Sequence, residues 1–171
     1  MRKIAALGII VGVLAIVLVI NSTSQNNNID PANSSLQTSP TTAISDVKAS
    51  FIIFTNGTLR MFSDPKYHNL SPEVYIQRDN PSIIHAKKPG ITWADFFNTL
   101  PMKLSIDCLI TGTGQTFCSN ESQKLKFYLN GQLKPNALEQ SIKDGDQLLV
   151  SFGDEKDAEI EAQLQQAPEI K

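Results

Sequence analysis

The two cysteines of this chain, Cys108 and Cys118, are the residues best suited to chemistry. The nine residues between them include two glycines, so the segment can fold back until the sulfur atoms meet. Closing so small a loop stabilises a folded chain by about 2.5–3 kcal/mol in the chain-entropy description. A structural disulfide is the main prediction. A redox pair, a thiolate metal site and free thiols remain as alternatives, although catalytic pairs usually occupy a C-x-x-C at a helix start.

His68 and His85 are the only histidines. His85 ends an apolar, strand-like run, where a single histidine is usually a hydrogen-bonded structural residue. A copper or zinc site would require both histidines to converge with Cys108 or Cys118. The chain contains neither H-E-x-x-H nor H-x-H. A metal-binding or thiol-redox protein therefore remains the alternative function, and it depends on these four side chains.

The remaining motifs give little support to an enzyme. Residues 111–115 contain G-x-G, but the third glycine and the lysine of a phosphate-binding loop are missing. No G-x-S-x-G occurs, and two histidines offer little material for a hydrolytic triad. The sequence thus predicts no catalytic residue and no required cofactor, and it favours a non-enzymatic protein.

Glycosylation sequons N-x-S/T begin at several asparagines: Asn21, Asn33, Asn56, Asn69 and Asn120. Each motif is short, and an Asn- and Ser-rich chain produces several by chance. Asn56 is the weakest candidate, because Asn56-Gly57 is expected to form a tight turn. The other four are the predicted acceptors.

All of these residues follow an apolar run at residues 4–20, which contains no charged side chain and no proline. Seventeen helical residues reach about 25 Å, within the range that spans a bilayer. Arg2 and Lys3 precede the run and favour a cytoplasmic amino terminus at residues 1–3. We therefore predict an uncleaved single-pass anchor in the cell membrane with the rest of the chain extracytoplasmic. A cleaved signal peptide is the alternative.

The anchor and the segment behind it set the layout of the chain. Gly8 and Gly12 form one G-x-x-x-G, through which two anchors could form a homodimer. Residues 21–46 are rich in Asn, Ser, Thr, Gln and Pro, and we predict a disordered linker there. A folded extracytoplasmic domain is expected at residues 47–153. The net charge of −2, with acids and bases interspersed, gives no indication of nucleic-acid binding.

Local patterns predict the elements of this domain. Asn56-Gly57 between apolar runs predicts a hairpin over residues 47–62. Residues 73–77 and 82–86 form a second strand pair around a turn at residues 79–81. Residues 102–106 are read as a strand or an extended connector.

The rest of the domain is one helix and two further strands. Thr92 and Asp95 form a capping box for a helix that ends before Pro101. Strands are predicted at residues 124–129 and 147–152. Residues 154–171 form a charged tail with a short exposed helix.

The order of elements from residue 73 onward is hairpin, helix, strand, short excursion and strand. This order is typical of a β-grasp, or ubiquitin-like, sheet with one packed helix over residues 73–153. The predicted class is α+β, and another α+β arrangement or an all-β sandwich are the alternatives.

Five short segments form a wider pattern: residues 80–85 (Asn-Pro-Ser-Ile-Ile-His), Phe96-Phe97, Asp107-Cys108 with Phe117-Cys118, Asn130-Gly131, and residues 144–146 (Asp-Gly-Asp). The pattern resembles a group of uncharacterised, membrane-anchored extracytoplasmic proteins of archaea and bacteria, over about half of the chain. Those relatives carry a histidine cluster just before the Ile-Ile-His strand, which implies metal binding. Here only His68 remains in that segment.

These observations favour a membrane-anchored binding or interaction module with a protein partner outside the cell. The alternatives are an extracytoplasmic copper, zinc or thiol-redox protein, and an accessory subunit of a membrane complex.

Overall fold

A computed structural model describes residues 46–170. The predicted anchor at residues 4–20, with Gly8 and Gly12, lies outside the described residues, as do Asn21, Asn33 and nearly all of the predicted linker. Within residues 46–170, no helix has both the length and the apolar character needed to cross a bilayer.

The described part is mostly sheet with two helices, which confirms the α+β class. Its elements, in chain order, are β1 (Val47–Thr55), β2 (Thr58–Leu59), β3 (Val74–Gln77), β4 (Asn80–Ala86), α1 (Trp93–Thr99), β5 (Lys103–Leu104), β6 (Cys108–Ile110), β7 (Thr116–Cys118), β8 (Lys124–Leu129), β9 (Gln132–Leu133), β10 (Gln147–Gly153) and α2 (Asp157–Leu164). Single 3₁₀ turns lie at Pro65–Tyr67 and Ala137–Glu139.

The main sheet has the strand order β3-β4-β1-β10-β8-β9, and β2 also pairs with β1. β1 and β10 run parallel at its centre, with Phe51 opposite Leu148 and Ile53 opposite Val150. The other pairs in this sheet are antiparallel. β1 and β10 are covered on both faces, which explains why their sequences are nearly continuous apolar runs.

The Asn56-Gly57 turn predicted from the sequence is present, and Asn130-Gly131 forms a second turn of the same kind. Asn56 and Gly57 have φ of 49° and 71°, and Asn130 and Gly131 have φ of 53° and 76°. Positive φ at both central residues is the requirement of a type I′ hairpin turn, which asparagine and glycine meet at least strain. The first hairpin is shorter than predicted, because β2 ends at Leu59 and Phe62 then turns into the core.

The two turn motifs near the end of the domain are joined by hydrogen bonds. Asn130 Nδ2 donates to Asp146 Oδ1 at 2.9 Å, and the Gln147 N–H donates to Asn130 Oδ1 at 2.8 Å. Asp146 Oδ2 also accepts from the Lys143 N–H at 2.9 Å. The buried carboxylate of Asp146 therefore fixes the entry of the central strand β10 against the β8–β9 turn.

The predicted second strand pair corresponds to β3 and β4. Its turn is tighter than expected, since only Arg78 and Asp79 separate the strands and Asn80 already pairs with Gln77. Pro81 lies inside β4.

Helix α1 begins as the capping box predicts and covers one face of the sheet. Thr92 Oγ1 accepts from the Asp95 N–H, and Asp95 accepts from the Thr92 N–H at 2.9 Å. The apolar stripe Trp93, Phe96, Phe97 and Leu100 is buried against the sheet.

The capping box makes acid stability depend on Asp95. Hydrogen bonds from the Thr92 backbone and hydroxyl lower the pKa of this carboxyl, so the unfolded chain binds the proton at a higher pH than the folded chain does. The stabilisation is complete above the ordinary pKa near 4 and is lost as the pH falls through the lowered pKa. We expect Asp95→Asn to lower the free energy of unfolding by about 0.5–1 kcal/mol at pH 6 and by less near pH 2.

Urea unfolding of wild type and variant between pH 2 and pH 6 measures this difference. Glu121→Gln removes an exposed carboxylate away from α1 and is the matched control. A stability gap of Asp95→Asn that stays constant with pH would contradict the assignment.

Helix α2 covers the opposite face of the sheet, which the sequence did not predict. Ile160 is buried against Ile52, Phe54 and Leu149, whereas the sequence indicated an exposed helix in a charged tail. The tail contains few apolar residues. Ile160, with Leu164 and Ala167 nearby, is enough to cover this face of the sheet, but so few apolar residues make too weak a pattern to predict that the helix packs there.

Candidate functional site

Cys108 and Cys118 form a disulfide, as predicted. They lie directly opposite each other on the antiparallel strands β6 and β7. Together with β5, these strands make a small second sheet. In this state both sulfur atoms are bonded to each other, so neither is available as a thiolate ligand.

The two histidines have separate local partners. His68 Nε2 is 2.9 Å from the carbonyl oxygen of Phe62, while the His85 ring stacks on Tyr75 with ring centroids 5.3 Å apart. His85 Nδ1 also lies 3.4 Å from Asp46 Oδ1. Within residues 46–170, no group of three or more His, Cys, Asp or Glu side chains is arranged to hold a metal ion. The four predicted ligands are thus not brought together in the described part of the chain.

His85 instead belongs to a surface ion-pair cluster with Asp46 and Lys87. Lys87 Nζ is 2.9 Å from Asp46 Oδ1, and its hydrogen bond lowers the pKa of the aspartate. The same bond raises the pKa of Lys87. Because the lysine and the aspartate neutralise each other at a partly exposed surface, we interpret the cluster as structural.

A concave surface of the described domain lies where β1 and β2 meet the disulfide-bonded hairpin. We name it the apolar cleft, and its volume is about 210 Å³. Its walls are largely apolar: Leu59, Met61, Phe62, Tyr67, Met102 and Leu109. Residues 111–113, between β6 and β7, complete one wall.

Arg60 connects the two sides of this cleft. Its Nε donates to Thr55 Oγ1 on β1, and its guanidinium also donates to Gln115 Oε1 at 3.1 Å. The guanidinium carbon lies 5.0 Å from the centroid of the Phe117 ring, a cation–π contact. Arg60 therefore holds the disulfide-bonded hairpin against the main sheet.

Gly112 is needed where the cleft wall meets the core. A Cβ atom at this position would lie 2.7 Å from Tyr67 Oη and 2.8 Å from the carbonyl oxygen of Pro101. Only a residue without a side chain allows so close an approach. The G-x-G of the sequence thus has a packing role in the cleft wall.

Met61 is the side chain of the cleft wall that is most open to solvent. It is 66% exposed, the largest value among the exposed large apolar residues of the described domain. Methionine is flexible and polarizable, and it is common at surfaces that adapt to apolar partners. Sequence reasoning missed this site, because Met61 was read as part of a strand. The only signal in the sequence was an apolar residue close to the end of the predicted hairpin.

Two of the predicted glycosylation acceptors lie in the described part of the chain. Asn69 is exposed and has a φ of 52°. Asn120 is exposed, and its Oδ1 accepts from the N–H groups of Ser122 and Gln123. Asn56 Oδ1 accepts from Gln123 Nε2 at 2.8 Å within its hairpin turn. Glycosylation at Asn21, Asn33, Asn69 and Asn120 stays a prediction.

Comparison of the chain with protein-family models, with curated proteins and with solved structures gave no match.

Proposed function

We propose that this protein is a membrane-anchored, extracytoplasmic binding module that takes an apolar side chain of a protein partner into the apolar cleft. The observation that carries the proposal is the half-open cleft with the exposed Met61 in its wall. Methionine is common at surfaces that adapt to apolar partners, so an exposed methionine in the wall of an apolar cleft supports a contact surface there.

The size and composition of the cleft favour a side chain over a free small molecule. Small-molecule pockets usually measure about 300–1,000 Å³, whereas this cleft holds about 210 Å³. Arginine, methionine and aromatic residues, here Arg60, Met61 and Tyr67, are enriched at protein interfaces. A leucine, methionine or phenylalanine side chain is the expected occupant.

Strand addition at the β3 edge is a less favoured way of binding. Two backbone groups of β3 already have partners outside the sheet. The Ile76 carbonyl accepts from the Asn69 N–H at 3.0 Å. Ser71 Oγ accepts from the Val74 N–H at 3.4 Å. An incoming strand would have to displace both contacts.

The proposal includes a β-grasp class for the main sheet, with one change from the predicted span of residues 73–153: the central strand β1 (Val47–Thr55) precedes that span. It is supported by the parallel pairing of β1 with β10 at the centre and by antiparallel β4 and β8 on either side. The single helix α1, between β4 and β8 in the chain, packs across one face.

The proposed location depends on the apolar run at residues 4–20 and on the disulfide. Arg2 and Lys3 before that run favour export of everything after it. A disulfide between Cys108 and Cys118 is typical of oxidising, extracytoplasmic compartments. Together with the five short segments described above, this location makes the group of uncharacterised, membrane-anchored extracytoplasmic proteins the proposed family.

Met61→Asp tests the binding site. A carboxylate in the wall of an apolar cleft must be desolvated when a partner binds, so we expect affinity to fall at least tenfold, equivalent to about 1.4 kcal/mol. The measurement is quantitative recovery of proteins bound to the tagged full-length chain after extraction of membranes in mild detergent, followed by titration of the purified partner.

Leu133→Asp is the matched control. Leu133 is also a large exposed apolar residue, 56% exposed, but it lies on β9 outside the apolar cleft. A partner lost equally with both variants, or retained by Met61→Asp, would contradict the proposed site.

A further inference from the structure

A second concavity lies between helix α2 and the β1–β2 turn. We name it the acidic cleft; its volume is about 460 Å³. Three carboxylate residues line it, Asp154, Glu155 and Glu159, and Gln163 forms part of its wall. These residues belong to the tail segment, for which the sequence indicated only an exposed charged helix.

The buried side-chain oxygen of Gln163 is the first indication that the acidic cleft binds a ligand. Gln163 is only 4% exposed, and its Oε1 has no hydrogen-bond partner among residues 46–170. A buried acceptor without a donor destabilises a fold, and an apolar residue would pack there without that cost. Gln163 lines the cleft, and rotation about its Cγ–Cδ bond, a torsion with a broad energy minimum, can turn this oxygen toward a donor there.

Glu155 supplies a second acceptor in the same place. Its side chain is 8% exposed, and Oε1 accepts from the Gly57 N–H at 3.1 Å. Oε2 is 3.5 Å from Lys126 Nζ but makes no hydrogen bond within the described part of the chain. Among residues 46–170, Lys126 pairs with Glu155 alone, and the lining of the cleft holds three carboxylates and no lysine or arginine, so the cleft keeps an excess of negative charge.

The negative charge of the acidic cleft is spread over separate carboxylates and is not gathered around one point. Glu159 Oε2 already accepts from the Lys156 N–H at 2.8 Å at the start of α2. Calcium or magnesium needs several oxygen atoms about 2.0–2.6 Å from one point. In residues 46–170, carboxylates, histidines and cysteines do not converge in threes on any such point. An extended organic cation with several N–H donors fits this arrangement better than a metal ion.

We propose that the acidic cleft binds an organic cation, an ammonium or guanidinium group, through Gln163 Oε1 and the carboxylates of Asp154 and Glu155. The group comes either from a free polyamine or from a lysine or arginine side chain of a peptide. The charge attracts the cation, and Gln163 pairs with one of its N–H donors.

Titration of the full-length protein in nonionic detergent tests this site. The probes are spermidine, N-acetyl-trilysine methylamide, N-acetyl-lysine methylamide, N-acetyl-arginine methylamide, the neutral N-acetyl-norleucine methylamide, and magnesium and calcium chloride. We expect saturable shifts of the Gln163 side-chain amide resonances with at least one organic cation, weaker binding at higher salt, and no saturation with norleucine. Tighter binding of spermidine than of N-acetyl-trilysine methylamide, a peptide of the same charge, identifies a free polyamine, and the reverse order identifies a basic peptide side chain.

Two variants and one control make the test specific. Gln163→Leu keeps the volume and removes the unpaired oxygen, so we expect at least a tenfold loss of cation affinity with an unchanged or raised melting temperature. Asp154→Asn should weaken binding about threefold or more. Glu161→Gln removes the same kind of charge from an exposed position on α2 and should leave affinity unchanged.

Three results would overturn the proposal outright, and a fourth would replace the organic cation by a metal ion. The three are the absence of saturable binding by any organic cation, equal affinity of wild type and Gln163→Leu, and equal responses to norleucine and to the cations. Saturation by magnesium or calcium at lower concentration than by every organic cation would assign a metal site instead.

Discussion

Replacement of Phe51 by alanine is expected to lower the free energy of unfolding by about 3–5 kcal/mol. Phe51 is fully buried at the centre of β1 and packs edge-on against three aromatic rings. The ring centroids of Phe62, Phe96 and Phe97 lie 5.0, 5.1 and 5.6 Å from its own. Removing the ring leaves a cavity where the sheet, α1 and the segment after β2 meet, and no exposed side chain can fill it.

An effect of this size is large against a total domain stability of about 5–15 kcal/mol. Urea unfolding of wild type and variant, followed by the fluorescence of Trp93, gives the difference. Leu133→Ala is the control, and we expect it to change stability by no more than about 0.5 kcal/mol because Leu133 is exposed. A loss below about 1 kcal/mol for Phe51→Ala would contradict the described core.

Removal of the disulfide is the second large effect that we expect. Replacing Cys108 and Cys118 together by serine should lower the free energy of unfolding by about 2.5–3 kcal/mol, because the unfolded chain loses a covalent constraint. The change also affects function, since β6 and β7 carry one wall of the apolar cleft. Partner recovery by the double variant should therefore fall even where the main sheet stays folded.

Reduction of the wild-type protein is the chemical control for this prediction. Reductant should lower wild-type stability by a similar amount and leave the double serine variant unchanged. Thiol labelling of intact cells adds a test of location: the cysteines should react only after reduction. Labelling without reductant would contradict the disulfide in the cell, and equal stability of the two proteins would contradict its structural role.

The proposed orientation of the chain in the membrane can be tested independently of the two clefts. Protease added to intact cells should remove the domain described here if residues 4–20 anchor it outside. Protection in intact cells, with digestion after lysis, would reverse the proposed topology. The extracytoplasmic role would then fail, although the geometry of both clefts would remain.

Local chemistry made several parts of this fold predictable from the sequence. Asn56-Gly57 required a type I′ turn, because few residue pairs accept positive φ at both positions. Thr92 with Asp95 marked the start of α1, and the 3.6-residue period placed its aromatic stripe on the core side. The disulfide was also predictable, since the spacing of Cys108 and Cys118 allowed it in a chain that the sequence predicts to be exported. Each of these signals is contained within about ten residues of chain.

Only the tertiary structure determined which distant segments of the chain pair, pack and enclose clefts. The parallel pairing of β1 with β10 joins residues nearly a hundred positions apart, and no local pattern specifies that register. The same holds for α2, whose burial depends on space beside Ile52 and Phe54 rather than on its own weak apolar stripe. Both clefts arise between such segments: Met61 beside Met102 and Leu109 in one, Gln163 beside Asn56 in the other. A sequence read in order shows each wall separately, and only packing brings the walls together.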